Sequence, residues 1–261
     1  MKTNDKETYL IEQFRSFVWW EAPLFFGNHF LCWNLYRSFC SCFWRGHWID
    51  SSNKNDPPPD FYNPKMHYMM EVMRVDDSAY VDKNGKIQND TLKKENELLT
   101  QYFGCDYRNF QNDISCVVNV TSTLQNCSYE RYLQNFKRVI EKHRNKIHIY
   151  QKNHPGYKTV FFIFDESSMY IKANSEKDLE AMKKTGTKTL VRSHNCFLDQ
   201  SLLNIIKNCG ADFVIWFAPY KSIQVAPQKI RHFHKKAIFD VKHLAHIKAI
   251  QYNQKMMTHG M

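Results

Sequence analysis

No run of about eighteen apolar residues occurs in the chain, so no bilayer-spanning helix, and no membrane partner, is expected. The eight cysteines (Cys32, Cys40, Cys42, Cys105, Cys116, Cys127, Cys196 and Cys209) form no Cys-x-x-Cys pair, which removes the usual zinc-finger spacing. The opening MKTNDKETYL holds no apolar signal core. A reducing, cytoplasmic setting is therefore expected, with the cysteines acting as small apolar thiols. In that setting the sequons at Asn119 and Asn126 have no consequence. Neither a P-loop nor a GxGxxG fingerprint is present, and no segment repeats.

What is present supports a folded domain. The chain has 261 residues and is 43% hydrophobic, enough for a sizeable core in one large domain or two small ones. Lys and Arg number 36 against 26 Asp and Glu, a formal charge of +10. Such a surplus favours nucleic acid or another polyanion as partner, and it also serves solubility.

Composition divides the chain into an aromatic-rich helical N-terminal segment (1–50), an α/β core (51–219) and a basic helical tail (220–261). Residues 7–20 place Tyr9, Leu10, Phe14, Phe17 and Val18 at helical spacing. Five of the six tryptophans fall within 19–48, interleaved with His29, Arg37, Arg45 and His47. Two roles are open to them: stacking on unpaired bases, or forming a core or an interface with a second copy or a protein partner. In the core, strands are expected at 67–75, 79–81 with 86–87, 114–121, 158–164 and 211–219, and helices at 91–103, 129–147, 175–184 and 198–208. Strand and helix alternate from 114 onward, which argues for an α/β fold with a mixed central sheet flanked by helices. The helix 129–147 carries Lys137, Arg138, Lys142, His143, Arg144 and Lys146 away from its apolar face, a surface suited to phosphates or simply to solvent.

The chemistry centres on DPPPDFYNPKMHYMMEVMRVDD, residues 56–77. A carboxylate at Glu71, inside Met69-Met70-Glu71-Val72-Met73, is costly to bury unless something pairs with it. A turn delivering Asp60 and a strand carrying Glu71 bring two carboxylates to one divalent cation. Pro-Asp, a short gap, then a strand with an acid resembles the PD-(D/E)XK nuclease superfamily, over residues 56–77 only. The family's lysine two residues after the second acid is Met73 here. The resemblance implies magnesium or manganese held by Asp60 and Glu71, with Lys65 or Arg74 on the scissile phosphate and a further acid, Glu12 or Glu21, from a preceding helix. It also implies helices 91–103 and 129–147 and strand 114–121 after the hairpin.

Other readings stand beside this one. Asp60 caps a turn and Glu71 pairs with Arg74 or a helix lysine, leaving a non-catalytic nucleic-acid-binding or protein-interaction protein, a reading that Met73 favours. Asp165-Glu166, at the end of an apolar strand, resembles a Walker B element but has no Walker A sequence to work with. The pair also sits where open α/β sheets bind ligands. His194 and Cys196, two apart, lack an evident third group to orient the histidine.

Overall fold

A computed structural model describes residues 3–16, 22–39, 48–51, 59–82, 84–89, 128–185, 192–226 and 229–259, with isolated positions at 93, 97, 98, 100 and 101. Glu21, most of the expected helix 91–103 and the expected strand 114–121 lie outside the described residues.

The elements in chain order are α1 (Thr3–Ser16), β1 (Leu24–Phe26), α2 (His29–Arg37), β2 (Ile49–Asp50), β3 (Phe61–Asn63), β4 (Tyr68–Val75), β5 (Ala79–Val81), β6 (Ile87–Asn89), α3 (Tyr129–Arg144), α4 (Ile147–Asn153), β7 (Lys158–Asp165), β8 (Tyr170–Lys172), α5 (Glu176–Thr185), β9 (Arg192–Ser193), α6 (Gln200–Lys207), β10 (Phe213–Phe217), β11 (Ser222–Ala226), β12 (Lys229–His232), β13 (Lys236–Asp240) and β14 (Met257–His259). Seven strands form one mixed sheet in the order β1-β13-β10-β7-β4-β3-β2. Strands β4, β7 and β10 run parallel, and β3 and β13 run against them. This is the mixed α/β sheet flanked by helices that the alternation of elements implies.

The pleat sorts side chains to two faces. Met69, Met73, Phe161, Ile163, Val214 and Trp216 point to one face, which α3 and α6 cover with Phe136, Ile140, Leu202 and Ile206. Tyr68, Met70, Val72, Phe162, Phe164 and Ile215 point to the other, covered by Leu10 and Phe14 of α1 and by Cys32 and Leu35 of α2. Strands β7 and β10 are buried on both faces, which is why their sequences run apolar without alternation. Ser128 caps α3 by accepting from the Arg131 N–H at 3.2 Å.

Two expectations change. Among its described residues the tail has no α-helix: β13 is a central-sheet strand and β11, β12 and β14 precede or follow it, with 3-10 turns after β13. Ala237-Ile238-Phe239 is too short an apolar run to carry a helical period, and it is fully buried as a strand. The N-terminal segment is not separate either, since β1 pairs with β13 and Phe14, Phe39 and Trp48 are core residues. Gly27 turns the chain from β1 into α2 at φ +93°, and a Cβ there would meet the Asp240 carbonyl oxygen at 2.8 Å.

Candidate active site

Asp60 stands just before β3, whose ladder with β4 begins at Phe61 opposite Met70. Glu71, on β4, shares with Met69 and Met73 the sheet face under α3 and α4. The Asp60 Oδ2 accepts the Val72 N–H at 2.7 Å, which fixes the carboxylate against β4. Glu71 is 6% exposed. Its Oε1 lies 2.9 Å from the Nδ1 of His143, in the last turn of α3. A carboxylate can only accept, so that nitrogen carries the proton. The Glu71 Oε2 and the Tyr150 hydroxyl of α4 are both buried, and Tyr150 meets the Glu71 carboxylate through charge and hydrogen bonding. Burial raises the phenol's pKa, and the negative fields of Glu71 and then Asp60 raise it further, so the three groups are close neighbours.

The other sequence-nominated residues distribute unevenly. Arg74 alternates to the opposite face from Glu71 and pairs with Glu166, Nε to Oε2 at 3.0 Å. Arg74 is therefore not part of the acid pair, because three residues along a strand reverse the side chain. Lys65 sits exposed in the β3–β4 turn, its N–H held by the Asn63 side chain at 3.1 Å. Glu12 lies on α1, on the far side of the sheet, paired with Arg15 at 2.6 Å. It supplies no third acid. On α3, Lys137 reaches Glu141 at 3.8 Å, Arg138 donates to Asn135 at 3.1 Å and Arg144 to the Asn208 carbonyl at 3.3 Å. Lys142 and Arg144 are exposed on either side of His143, and Lys146 is half-buried just beyond. Cations in a last turn also answer the helix dipole.

A second polar cluster occupies the carboxyl ends of the parallel strands. Asp165, fully buried at the end of β7, accepts from Tyr132 Oη at 2.7 Å, Trp216 Nε1 at 3.0 Å, and the Ser167 N–H and Oγ at 3.0 and 2.5 Å. The Lys221 ammonium, 1% exposed, donates to Ser167 Oγ at 2.5 Å and the Ser168 carbonyl at 2.9 Å, and lies 3.5 Å from the Asp165 carboxylate. Beside it Asp77 accepts from Ser168 Oγ at 2.8 Å and Tyr170 Oη at 2.9 Å, and His259 Nδ1 is 2.7 Å from the same serine oxygen. Asp165 stands beside Val75 in the register, four residues beyond Glu71, so it does not join the first pair.

The chain matches no protein-family model, no curated protein and no solved structure. Its sites are read from their own chemistry.

His143, which the sequence places on the basic side of its helix, instead meets Glu71 at 2.9 Å. A histidine one position beyond the apolar face of a basic helix was the only signal available. Lys221, after Pro219 and Tyr220, resembles any loop lysine until its burial is seen.

Proposed function

We propose that the protein is a metal-dependent phosphodiesterase that acts on nucleic acid, with Asp60 and Glu71 as its acidic pair. One observation carries this reading: two carboxylates, Asp60 held by the Val72 N–H and the buried Glu71, lie close together about the Tyr150 phenol. The order of helix, hairpin with both acids, and crossover helix supports it as well.

The donor set suits one kind of ion. Among the described residues no group of three or more His, Cys, Asp or Glu side chains could hold a metal. Magnesium, however, is commonly held by one or two carboxylates, with water and substrate phosphate completing its shell. The pair fits an ion that arrives with its substrate. Bound there, magnesium or manganese would supply an activated water and neutralise charge on the scissile phosphate. The chain's own residues do the rest. The Val72 N–H aims Asp60, and His143 and Tyr150 hold Glu71. Lys142, Arg144 and Lys146 stand beside His143 to meet the backbone phosphates.

A second reading is a binding protein that does not cut. The His143–Glu71 contact and the methionine in the family's lysine position favour it. The test is cleavage of labelled single- and double-stranded DNA and RNA with magnesium, manganese or EDTA, by wild type and by Glu71→Gln. Metal-dependent cleavage lost in Glu71→Gln is the expected outcome. Tight, salt-sensitive binding without cleavage under any condition would replace the enzyme with the binder.

A further inference from the structure

Four rings form a continuous strip beside the Asp60–Glu71 pair. The Tyr62 and His154 ring centroids lie 4.5 Å apart with the planes 32° from parallel. His154 and Tyr157 follow at 5.3 Å, and Tyr157 and His67 at 5.2 Å. The elements that build the candidate site also build the strip. Tyr62 stands opposite Met69, two residues before Glu71 on β4 and so on the same face, about 7 Å along the strand. On the helix side His154 donates its N–H to the Tyr150 carbonyl at 2.9 Å, one helical turn from the phenol beside Glu71. From there the strip runs toward the amino ends of β4 and β7, where Tyr68 pairs with Lys158.

Core packing accounts for part of this arrangement, since Tyr62 and Tyr157 rest half-buried on the main core. It does not account for His67, which is exposed and held at φ +53°, a conformation uncommon for residues other than glycine. The His67 carbonyl accepts the Lys158 N–H at 2.8 Å, which fixes the backbone there. A strained residue that keeps its ring at the surface against Tyr157 points to use. Burial lowers the His154 pKa, so at neutral pH that ring offers a π-face rather than a charge. The charge comes from lysines. Lys65, Lys152 and Lys158 are exposed around the strip, and the segments 61–69 and 146–158 contain no acid. Asp212, which accepts the Thr159 N–H at 2.9 Å, is balanced by Lys242 at 2.7 Å.

Aromatic faces with lysines beside them suit unpaired bases on a phosphate backbone, because a base inside a duplex has no open face to give. We infer that the strip binds single-stranded nucleic acid, stacking its bases on the rings of Tyr62, His154, Tyr157 and His67 while Lys65, Lys152 and Lys158 meet its phosphates. The inference rests on the reading of Asp60 and Glu71 as a nucleic-acid site and names the substrate class of that site, an unpaired strand.

Fluorescence anisotropy of the full-length protein in EDTA measures binding without metal-dependent cleavage. The probes are short labelled single strands of DNA and of RNA, the DNA duplex, and an abasic DNA strand with the same phosphates. At least one single strand binds about tenfold more tightly than the duplex or the abasic strand, the size of one stacked base. Tyr62→Leu keeps the apolar packing and loses the ring; it weakens that strand about tenfold and leaves the abasic strand unchanged, and Tyr62→Phe restores it. His67→Asn, suited to the left-handed backbone, weakens the strand in the same sense and decides the matter should Tyr62→Leu not fold. Duplex or abasic strand binding as tightly as both single strands overturns the inference. So does unchanged binding in a folded Tyr62→Leu or His67→Asn, or no binding of any strand. The catalytic reading fails separately. A single strand bound in EDTA but uncut with magnesium or manganese keeps the strip and overturns the enzyme, whereas metal-dependent cleavage with no preference for single strands does the reverse.

Discussion

Asp165 and Lys221 form a buried ion pair whose two halves are unequally supported, and replacing each in turn should show it. In Lys221→Met the carboxylate keeps four neutral donors: Tyr132 Oη, Trp216 Nε1 and the Ser167 N–H and Oγ. Removing one partner of a buried pair costs about 3–5 kcal/mol when the other is stranded. Four donors should hold the loss to about 2–3 kcal/mol, because the remaining charge stays solvated by the protein. Asp165→Asn is worse. It leaves the ammonium with two neutral oxygens and two ring faces, Tyr132 at 4.9 Å and Tyr170 at 6.0 Å. Whichever carboxylate oxygen becomes the amide nitrogen, a fixed N–H, from Ser167 or Trp216, then faces it. A loss of about 4–5 kcal/mol is expected, close to the whole stability of a marginal domain. Urea unfolding of both variants and of the double variant measures this directly, provided the denaturant slopes agree. The double variant should cost at least about 1 kcal/mol less than the sum of the singles, since the sites touch. Lys221→Met proving as costly as Asp165→Asn would refute the reasoning, because the four donors would then count for nothing.

Other perturbations have distinct signatures. His194 is held neutral by burial, so its folded pKa lies below 6.5, and stability present above pH 6.5 falls as pH drops toward the folded value, by at most about 1.4 kcal/mol per pH unit. Unfolding free energies at pH 7.5, 6.5 and 5.5 should show this fall in wild type and a shallower one in His194→Gln. Gly27→Ala should cost about 1–3 kcal/mol by thermal melt, from the positive φ and the 2.8 Å approach to the Asp240 carbonyl oxygen, whereas Gly85→Ala, with nothing near its Cβ, should show only the φ cost. Arg74→Ala removes a surface pair with Glu166 and should change stability by under about 1 kcal/mol and leave cleavage unchanged, which an activity assay alongside Glu71→Gln would check.

The parts of the fold legible in the sequence are those where local pattern and burial agree. Lys158–Asp165 and Phe213–Phe217 read as central strands because a sheet covered on both faces leaves no reason to alternate. Glu71 stood out because an acid in an apolar run needs a partner, and its strand register followed from the hairpin. The partner did not stand out: His143 lies 72 residues away, and only the packing of α3 on the sheet joins them. The strand Lys236–Asp240 was obscured by its basic, histidine-rich surroundings, which suggested a helical surface, while the five residues themselves are all buried. The Asp199–His194 bond spans five positions across a 3-10 turn, a spacing that belongs to no regular element and so leaves no periodic trace.

The pairing of β1 with β13 has a consequence for how the molecule is made. Leu24 finds its strand partner, Ala237, only after more than two hundred further residues have been joined. At about 5–20 residues per second, that is a delay of roughly ten to forty seconds on the ribosome. Throughout it, Phe25 and Phe26 have no ladder to complete, and the Cys32 thiol lacks the Ile238 carbonyl it later lies against at 3.6 Å. The meander from β2 to β4, joined through α3 to β7, can assemble long before then from contacts much nearer in sequence. The first described strand is thus among the last to be seated, and a chain cut short before residue 236 would leave Leu24–Phe26 with no strand to pair with.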